Sequence, residues 1–314
     1  MKNRRYYFAK TTLPLGKITR KLANYGLPVF DNIYQAYIKA KIKSLYANII
    51  TQYQSIDYNP IPQTGNYPIW IFWWQGLENM PEVVKICYNS VLENAGEHPV
   101  HLITEENYVE YLSGAIWLDT VIEWLKEGRI GYAYFSDIVR CYLIFTYGGI
   151  WIDATVLLTK NINEVVDNGI FVTGRRVARS KKEYKRLPSP AKGKWTGYFV
   201  FSCKNNPLFQ FIDDILVNQI LRIGYNIEYL MIDYCFVIAY ENFSFVRNMQ
   251  EKSSIYPNRI SVMINHLNCK FNEAWYKSLI KTNPFLKLTY KRTWIEETKD
   301  HELTYYGWLK KRYL

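Results

Sequence analysis

The chain has 314 residues, 49% of them hydrophobic and 21% charged, which is enough apolar surface for an ordinary core and too much for a disordered protein. Its five cysteines are scattered, with no CxxC and no Cys/His cluster, which excludes a structural zinc framework and predicts reduced core thiols. No signal sequence opens the chain and no run approaches the roughly 20 apolar residues of a membrane-crossing helix, so the expected location is the cytoplasm.

The net charge of +11 is unevenly spread. Residues 1–45 hold ten Lys or Arg against one acid, Asp31, or +9 of the total. Mixed among these cations are Leu15, Ile18, Leu27 and Phe30, a blend suited to an anionic membrane surface. Nucleic-acid binding is the competing reading of such charge, and a helical pair packed on the body with solvated cations is the third. From Asp31 to Ile50 the pattern is helical. The Pro- and Gly-containing stretch from Tyr58 to Pro68 reads as a linker, so we expect a basic amphipathic helical arm at 1–57 and one main domain at 58–314.

Pro68 to Gln75 is a near-continuous apolar and aromatic run, as expected of a buried parallel strand, and Gly76 ends it. Met80 to Asn94 reads as a helix and Val100 to Ile103 as a second strand, a β-α-β order. Thr104, Glu105 and Glu106 read as a cap and first helical turn.

The organising stretch is Tyr132 to Leu158, YAYFSDIVRCYLIFTYGGIWIDATVLL. Apolar residues at helical spacing run to Phe145, Gly148 and Gly149 stop the helix, and a buried strand follows. In one extended strand Ile150, Ile152, Ala154, Val156 and Leu158 face one way, and Trp151, Asp153, Thr155 and Leu157 the other. Asp153 is then a carboxylate in an apolar strand, near the crevice of an open α/β sheet, and needs a metal ion, an arginine or a proton to offset its burial. On the preceding helix Asp137 and Arg140 share a face.

Past Leu158 come a short helix near 162–166 and a strand around 170–173. Residues 175–194 hold nine cations and one acid, and read as a mobile surface loop. Trp195 to Ser202 returns to strand pattern, with Gly197 allowing close backbone approach. Pro207 to Leu221 is helical, and its Asp213 and Asp214 read as surface acids. Leu230 to Tyr240 is a second apolar helix with Asp233 embedded in it. His266 is a candidate third metal ligand.

SDIVRCYLIFTYGGIWIDATV, together with PIWIFWWQG, WTGYFVFS, LMIDYCFVIAYEN and LKLTYK, resembles the capsular polysaccharide synthesis glycosyltransferases, a branch of the sugar transferases with an Asp-x-Asp motif. The resemblance covers most of the chain from about Pro60. It implies an α/β, Rossmann-like glycosyltransferase A-type fold with a mixed central sheet, a catalytic domain at 58–314 and a nucleoside diphosphate sugar as donor. It also implies Mn2+ or Mg2+, with Asp153 as the metal-side acid and Thr155 standing where the motif has its second acid. Asp137 and Arg140 are expected at the donor's ribose or sugar hydroxyls. Trp73, Trp74 and Gln75 are expected near base and ribose, Trp195 and Gly197 near the donor sugar, and Asp233 at an acceptor or donor hydroxyl. Lys287, Tyr290 or Lys291 would reach the diphosphate.

The reading is therefore a retaining hexosyltransferase, taking glucose or galactose from a UDP-sugar to a lipid-linked (polyprenyl diphosphate) or oligosaccharide acceptor. It would work from the cytoplasmic face of the cell membrane, bound to the anionic surface and not to nucleic acid. Two alternatives stay open: a nucleotide-sugar-binding relative without turnover, motivated by Thr155, and a nucleic-acid binder.

Overall fold

The structure, a computed structural model, describes residues 4–166, 169–175, 189–223, 226–253, 255–257 and 260–314. Most of the basic segment 175–194 lies outside them.

Among the described residues the strands are β1 (Ile69–Phe72), β2 (Val100–Ile103), β3 (Gly149–Ile152), β4 (Val156–Leu158), β5 (Phe171–Arg175), β6 (Phe199–Ser202), β7 (Ile255–Pro257) and β8 (Phe285–Lys287). Six of them form one sheet in the order β2-β1-β3-β6-β5-β7. β1 runs parallel to β2 and β3, whereas β6 is antiparallel to β3 and β5, so the sheet is mixed. The alternation of side chains divides it cleanly into two faces. Trp70, Phe72, Trp151 and Val200 enter one apolar cluster, and Ile69, Ile71, Ile150, Ile152, Phe199 and Phe201 enter another. The result is the layered Rossmann-like α/β architecture that the strand–helix order implies.

The glycine pair after the helix Tyr132–Tyr147 has a direct cause. Gly149 has φ of +93°, and a Cβ there would sit 2.1 Å from the Pro68 carbonyl oxygen, so the chain can enter β3 beside β1 only without a side chain.

Three expectations are corrected. Residues 150–158 are not one strand: β3 ends at Ile152, Asp153 to Thr155 turn, and β4 leaves the main sheet to pair with β8. The Val156 N–H donates to the Asp153 carbonyl, closing that turn. Asp213 and Asp214 are half-buried, not surface acids: Asp213 accepts from Trp117 Nε1 at 3.1 Å and Asp214 from Tyr53 OH at 2.6 Å. Of the cysteines, Cys87, Cys141, Cys203 and Cys235 are buried as expected, but Cys269 is exposed.

The N-terminal helices Arg4–Asn24, Pro28–Leu45 and Ala47–Gln54 pack against the body. Tyr34, Ile38, Ile42, Tyr46 and Tyr53 belong to the same buried cluster as β1 and β3. Polar links reinforce this, with Arg20 on Glu228 at 2.5 Å, Thr12 Oγ1 on the Ile227 carbonyl at 2.7 Å, and the Tyr34 hydroxyl on Glu228. Among the described residues, no helix is long and apolar enough to cross a membrane.

Candidate active site

The parallel strands β1 and β3 end side by side, and beyond their carboxyl ends lies a cleft of about 930 Å3. Trp73, Trp74 and Gln75 follow β1 into it and Asp153 and Thr155 follow β3. Trp195, Gly197 and Tyr198 precede β6, and Asp137 and Arg140 come from the helix Tyr132–Tyr147. Asp233, Lys287 and Tyr290 complete the set. Of the residues singled out in the sequence, His266 and Lys291 are not among those lining the cleft. The His266 Nδ1 lies 2.7 Å from the Val262 carbonyl and its ring stacks on Trp275, which accounts for it structurally.

At the centre is an alternating row of charges. Arg140 Nη1 lies 3.2 Å from Asp137 Oδ1 and Arg140 Nη2 lies 3.2 Å from Asp153 Oδ1. The other Asp153 oxygen accepts from Lys287 Nζ at 2.6 Å, and Trp151 Nε1 adds a 2.8 Å bond to Oδ1. Arg140 has only 6% of its side chain exposed, and its guanidinium lies over the Trp151 ring at 4.9 Å. A Cβ on Gly197 would come within 2.6 Å of Arg140 Nη1, so the close approach expected at this glycine is an approach to the arginine.

The electrostatics follow from these contacts. Burial works against the Asp153 carboxylate, but Lys287 and Arg140 together outweigh it and hold its pKa below the usual range. Asp137 goes the other way: burial pushes it up to about 7, with Arg140 opposing and the Asp153 and Asp233 charges adding. Asp233 is raised by burial while accepting from Ser189 Oγ at 2.6 Å and Trp195 Nε1 at 2.7 Å. It thereby ties the loop before β6 to the helix Met231–Asn242.

Two buried donors of this cleft, Arg140 Nε and Trp73 Nε1, have no protein acceptor. The aromatic walls suit the apolar face of a sugar or a base.

The same residues do not make a donor set for a divalent ion. Asp153 is the one carboxylate on its loop, both its oxygens are engaged, and any ion there would stand beside two fixed cations. Thr155 offers only a hydroxyl, and among the described residues no three of His, Cys, Asp and Glu are placed to share an ion.

Some cleft residues carried no sequence signal. Arg20 lines it from the first helix, held by Glu228 some 208 positions away, and Ser189 lines it too. Ser136 and Tyr198 also line it, from inside the motifs SDIVR and WTGYFVFS.

Residues 27–309 match the profile of the capsular polysaccharide synthesis proteins. The O-glycosyltransferase braB of Annulohypoxylon truncatum is 29% identical over 115 residues, which is 35% of this chain and 27% of that protein. Glycosyltransferase afumC of Aspergillus fumigatus (strain CBS 144.89 / FGSC A1163 / CEA10) is 23% identical over 141 residues, 40% of this chain and 33% of the other. The match thus spans about a quarter to a third of the length of these relatives. Among solved structures, PaToxG Glycosyltransferase is 16% identical over 70% of this chain and 85% of that one, with a TM-score of 0.44, too low to bear on the fold. With a profile that runs from the second helix into the last one, the chain belongs to the capsular polysaccharide synthesis protein family.

Proposed function

We propose that the protein is a glycosyltransferase that moves a hexose, glucose or galactose, from a UDP-sugar to a lipid-linked or oligosaccharide acceptor in capsular or extracellular polysaccharide synthesis. The observation that carries this reading is the row Asp137–Arg140–Asp153–Lys287 in an aromatic-walled cleft at the carboxyl ends of parallel strands. An activated sugar has hydroxyls for Asp137 and the Arg140 donors, and a diphosphate whose developing charge needs fixed cations as it departs. In the transfer, the bond from the sugar's anomeric carbon to the diphosphate oxygen breaks and the electron pair leaves with the nucleotide. The acceptor hydroxyl forms the new bond, and with retention of configuration its proton passes to the departing phosphate oxygen.

The N-terminal hairpin supports an acceptor presented by a lipid surface. The helix Pro28–Leu45 buries Asp31 and Gln35 while Val29, Phe30, Ile33 and Tyr37 stay exposed, Ile33 at 64%. Ile18 and Tyr25 extend this apolar ridge, and Lys17, Lys21 and Lys41 are exposed around it. Apolar ridges ringed by lysine fit the interface of an anionic bilayer. Arg20 belongs both to this hairpin and to the cleft wall, so a sugar carried on a membrane lipid would meet the site from that side.

The test is a screen of UDP- and GDP-sugars for nucleotide release, with and without added metals, beside Asp153→Asn. Release from a UDP-hexose is expected, reduced on the order of 100-fold in the variant. Nucleotide binding without release from any donor would favour instead the inactive relative, the reading that Thr155 motivates.

A further inference from the structure

We propose that Lys287 supplies, as a side chain, the positive charge at the Asp153 turn that a divalent ion would otherwise bring, so that sugar transfer runs without a metal. This rests on the nucleotide-sugar reading above. β4 and β8 pair antiparallel with Val156 opposite Lys287, and the Leu288 N–H donates to the Thr155 carbonyl at 2.8 Å. That ladder fixes Lys287 beside the turn that begins at Asp153, although the two residues are 134 positions apart.

The ladder is also rigid support. Val156, Leu157, Leu158, Phe285 and Leu286 are all buried, so the lysine stem leaves a packed element and not a loop. Its ammonium donates to Asp153 Oδ2 at 2.6 Å and lies 5.2 Å from the centre of the Tyr198 ring. The side chain remains 19% exposed on the cleft wall.

Arg140 cannot take this part alone. It is enclosed by Asp137, Asp153, the Trp151 face and Gly197, and its charge balances the two buried acids. Lys287 is the cation on Asp153 that keeps contact with the open space, and an ammonium has three donors, of which Asp153 uses one. A metal at Asp153 would have to displace Lys287 from Oδ2 or share the carboxylate with it, against the repulsion of two like charges. In the transfer Lys287 donates a hydrogen bond to the diphosphate oxygen that receives the electron pair and keeps its proton throughout.

The experiment compares binding and turnover in chelated buffer with the same measurements in Mn2+. Calorimetry with UDP and GDP on the intact protein, stripped with EDTA, is expected to give a dissociation constant within about 3-fold of that in Mn2+. UDP release from the productive UDP-sugar should likewise persist. Lys287→Met, which keeps the apolar stem, should weaken UDP binding about 10-fold and slow release on the order of 100-fold, with Lys287→Arg recovering part of both. A thermal melt confirms that each variant is folded. Nucleotide binding that appears only when Mn2+ or Mg2+ is added overturns the inference and leaves the transferase reading standing. Lys287→Met binding UDP as the parent does also overturns it. No binding of either nucleotide in any buffer overturns both.

Discussion

The cleft and the N-terminal hairpin both break the usual partition of polar and apolar groups, and they break it in opposite directions. In the cleft, carboxylates and cations are taken out of water and neutralise one another, with Arg140 only 6% exposed between Asp137 and Asp153. In the hairpin, Asp31 and Gln35 turn inward, where Gln35 Nε2 donates to Asp31 at 2.6 Å, while Ile33 and Val29 face outward. Departures from local rules concentrate where function requires them. Buried, pre-paired charge suits a small polyanion, and exposed apolar surface among lysines suits lipid, the two partners proposed above.

Removing the cation at the centre of the cleft has the largest expected effect. Arg140→Met leaves Asp137 without its cation and Asp153 with Lys287 alone, and loss of one partner from a buried pair costs about 3–5 kcal/mol. Urea unfolding should register that loss, and the double variant Asp137→Asn/Arg140→Met should recover part of it because one of the stranded charges is gone. A single variant within 1 kcal/mol of the parent would mean that the ion pairs are not what makes the buried acids tolerable.

The hairpin should respond to substitution in a different currency. Replacing Val29 and Ile33 by Glu puts charge on the exposed ridge and should lower affinity for phosphatidylserine vesicles about 10-fold or more, from the apolar burial lost at two residues. The melting temperature and nucleotide release should stay as they were. Tyr34→Phe, on the inward side, should do the converse: it deletes the hydroxyl bound to Glu228 and to the Thr12 carbonyl, costs about 1–2 kcal/mol, and leaves vesicle binding intact. Concentration-dependent dimerisation with no vesicle binding would assign the ridge to a second copy of the chain instead.

What could be read in advance depended on sequence distance. Asp137, Arg140 and Asp153 lie within one helix–glycine–strand segment, and their convergence follows from local geometry alone. The continuous apolar run at Pro68 to Gln75 likewise marked β1 as a strand buried on both faces, and Trp70 and Phe72 do enter one layer while Ile69 and Ile71 enter the other. The alternation misled at 150–158, because it continues on both sides of the turn at Asp153 and carries no mark of the change of partner from β6 to β8. Lys287 could be named from its motif, but its pairing with Asp153 could not be, since that contact is made by a ladder closing over 134 residues. Arg20 gave no sign at all. Its place in the cleft depends on Glu228, a buried acid whose partners come from the N-terminal helices. Adjacent acids on one helix, Asp213 and Asp214, suggested a solvated face because neighbours point apart. The structure covers both directions, with Trp117 on one side and Tyr53 on the other.

Asp213 also offers a test of why Asp153 stays charged. Like Asp153 it is half-buried, but its neighbours are the Trp117 N–H and the Asp214 carboxylate, and its Oδ1 is buried with no hydrogen-bond partner. Burial pushes it up to about 8, whereas Lys287 and Arg140 hold Asp153 below the ordinary range. A carboxyl whose pKa is higher folded than unfolded binds more protons in the folded state, so its contribution is complete below the unfolded value near 3.8 and is lost as pH rises through about 8. Asp213→Asn keeps an acceptor for Trp117 and removes the charge. The variant should therefore match the parent near pH 4 and exceed it at pH 9 by about 1–3 kcal/mol, read from denaturant unfolding at the two pH values. An advantage at pH 4 that vanishes at pH 9 would reverse the sign. Burial alone would then not distinguish an acid without a cation from one held between two, and the contrast between Asp213 and Asp153 would lose its physical basis.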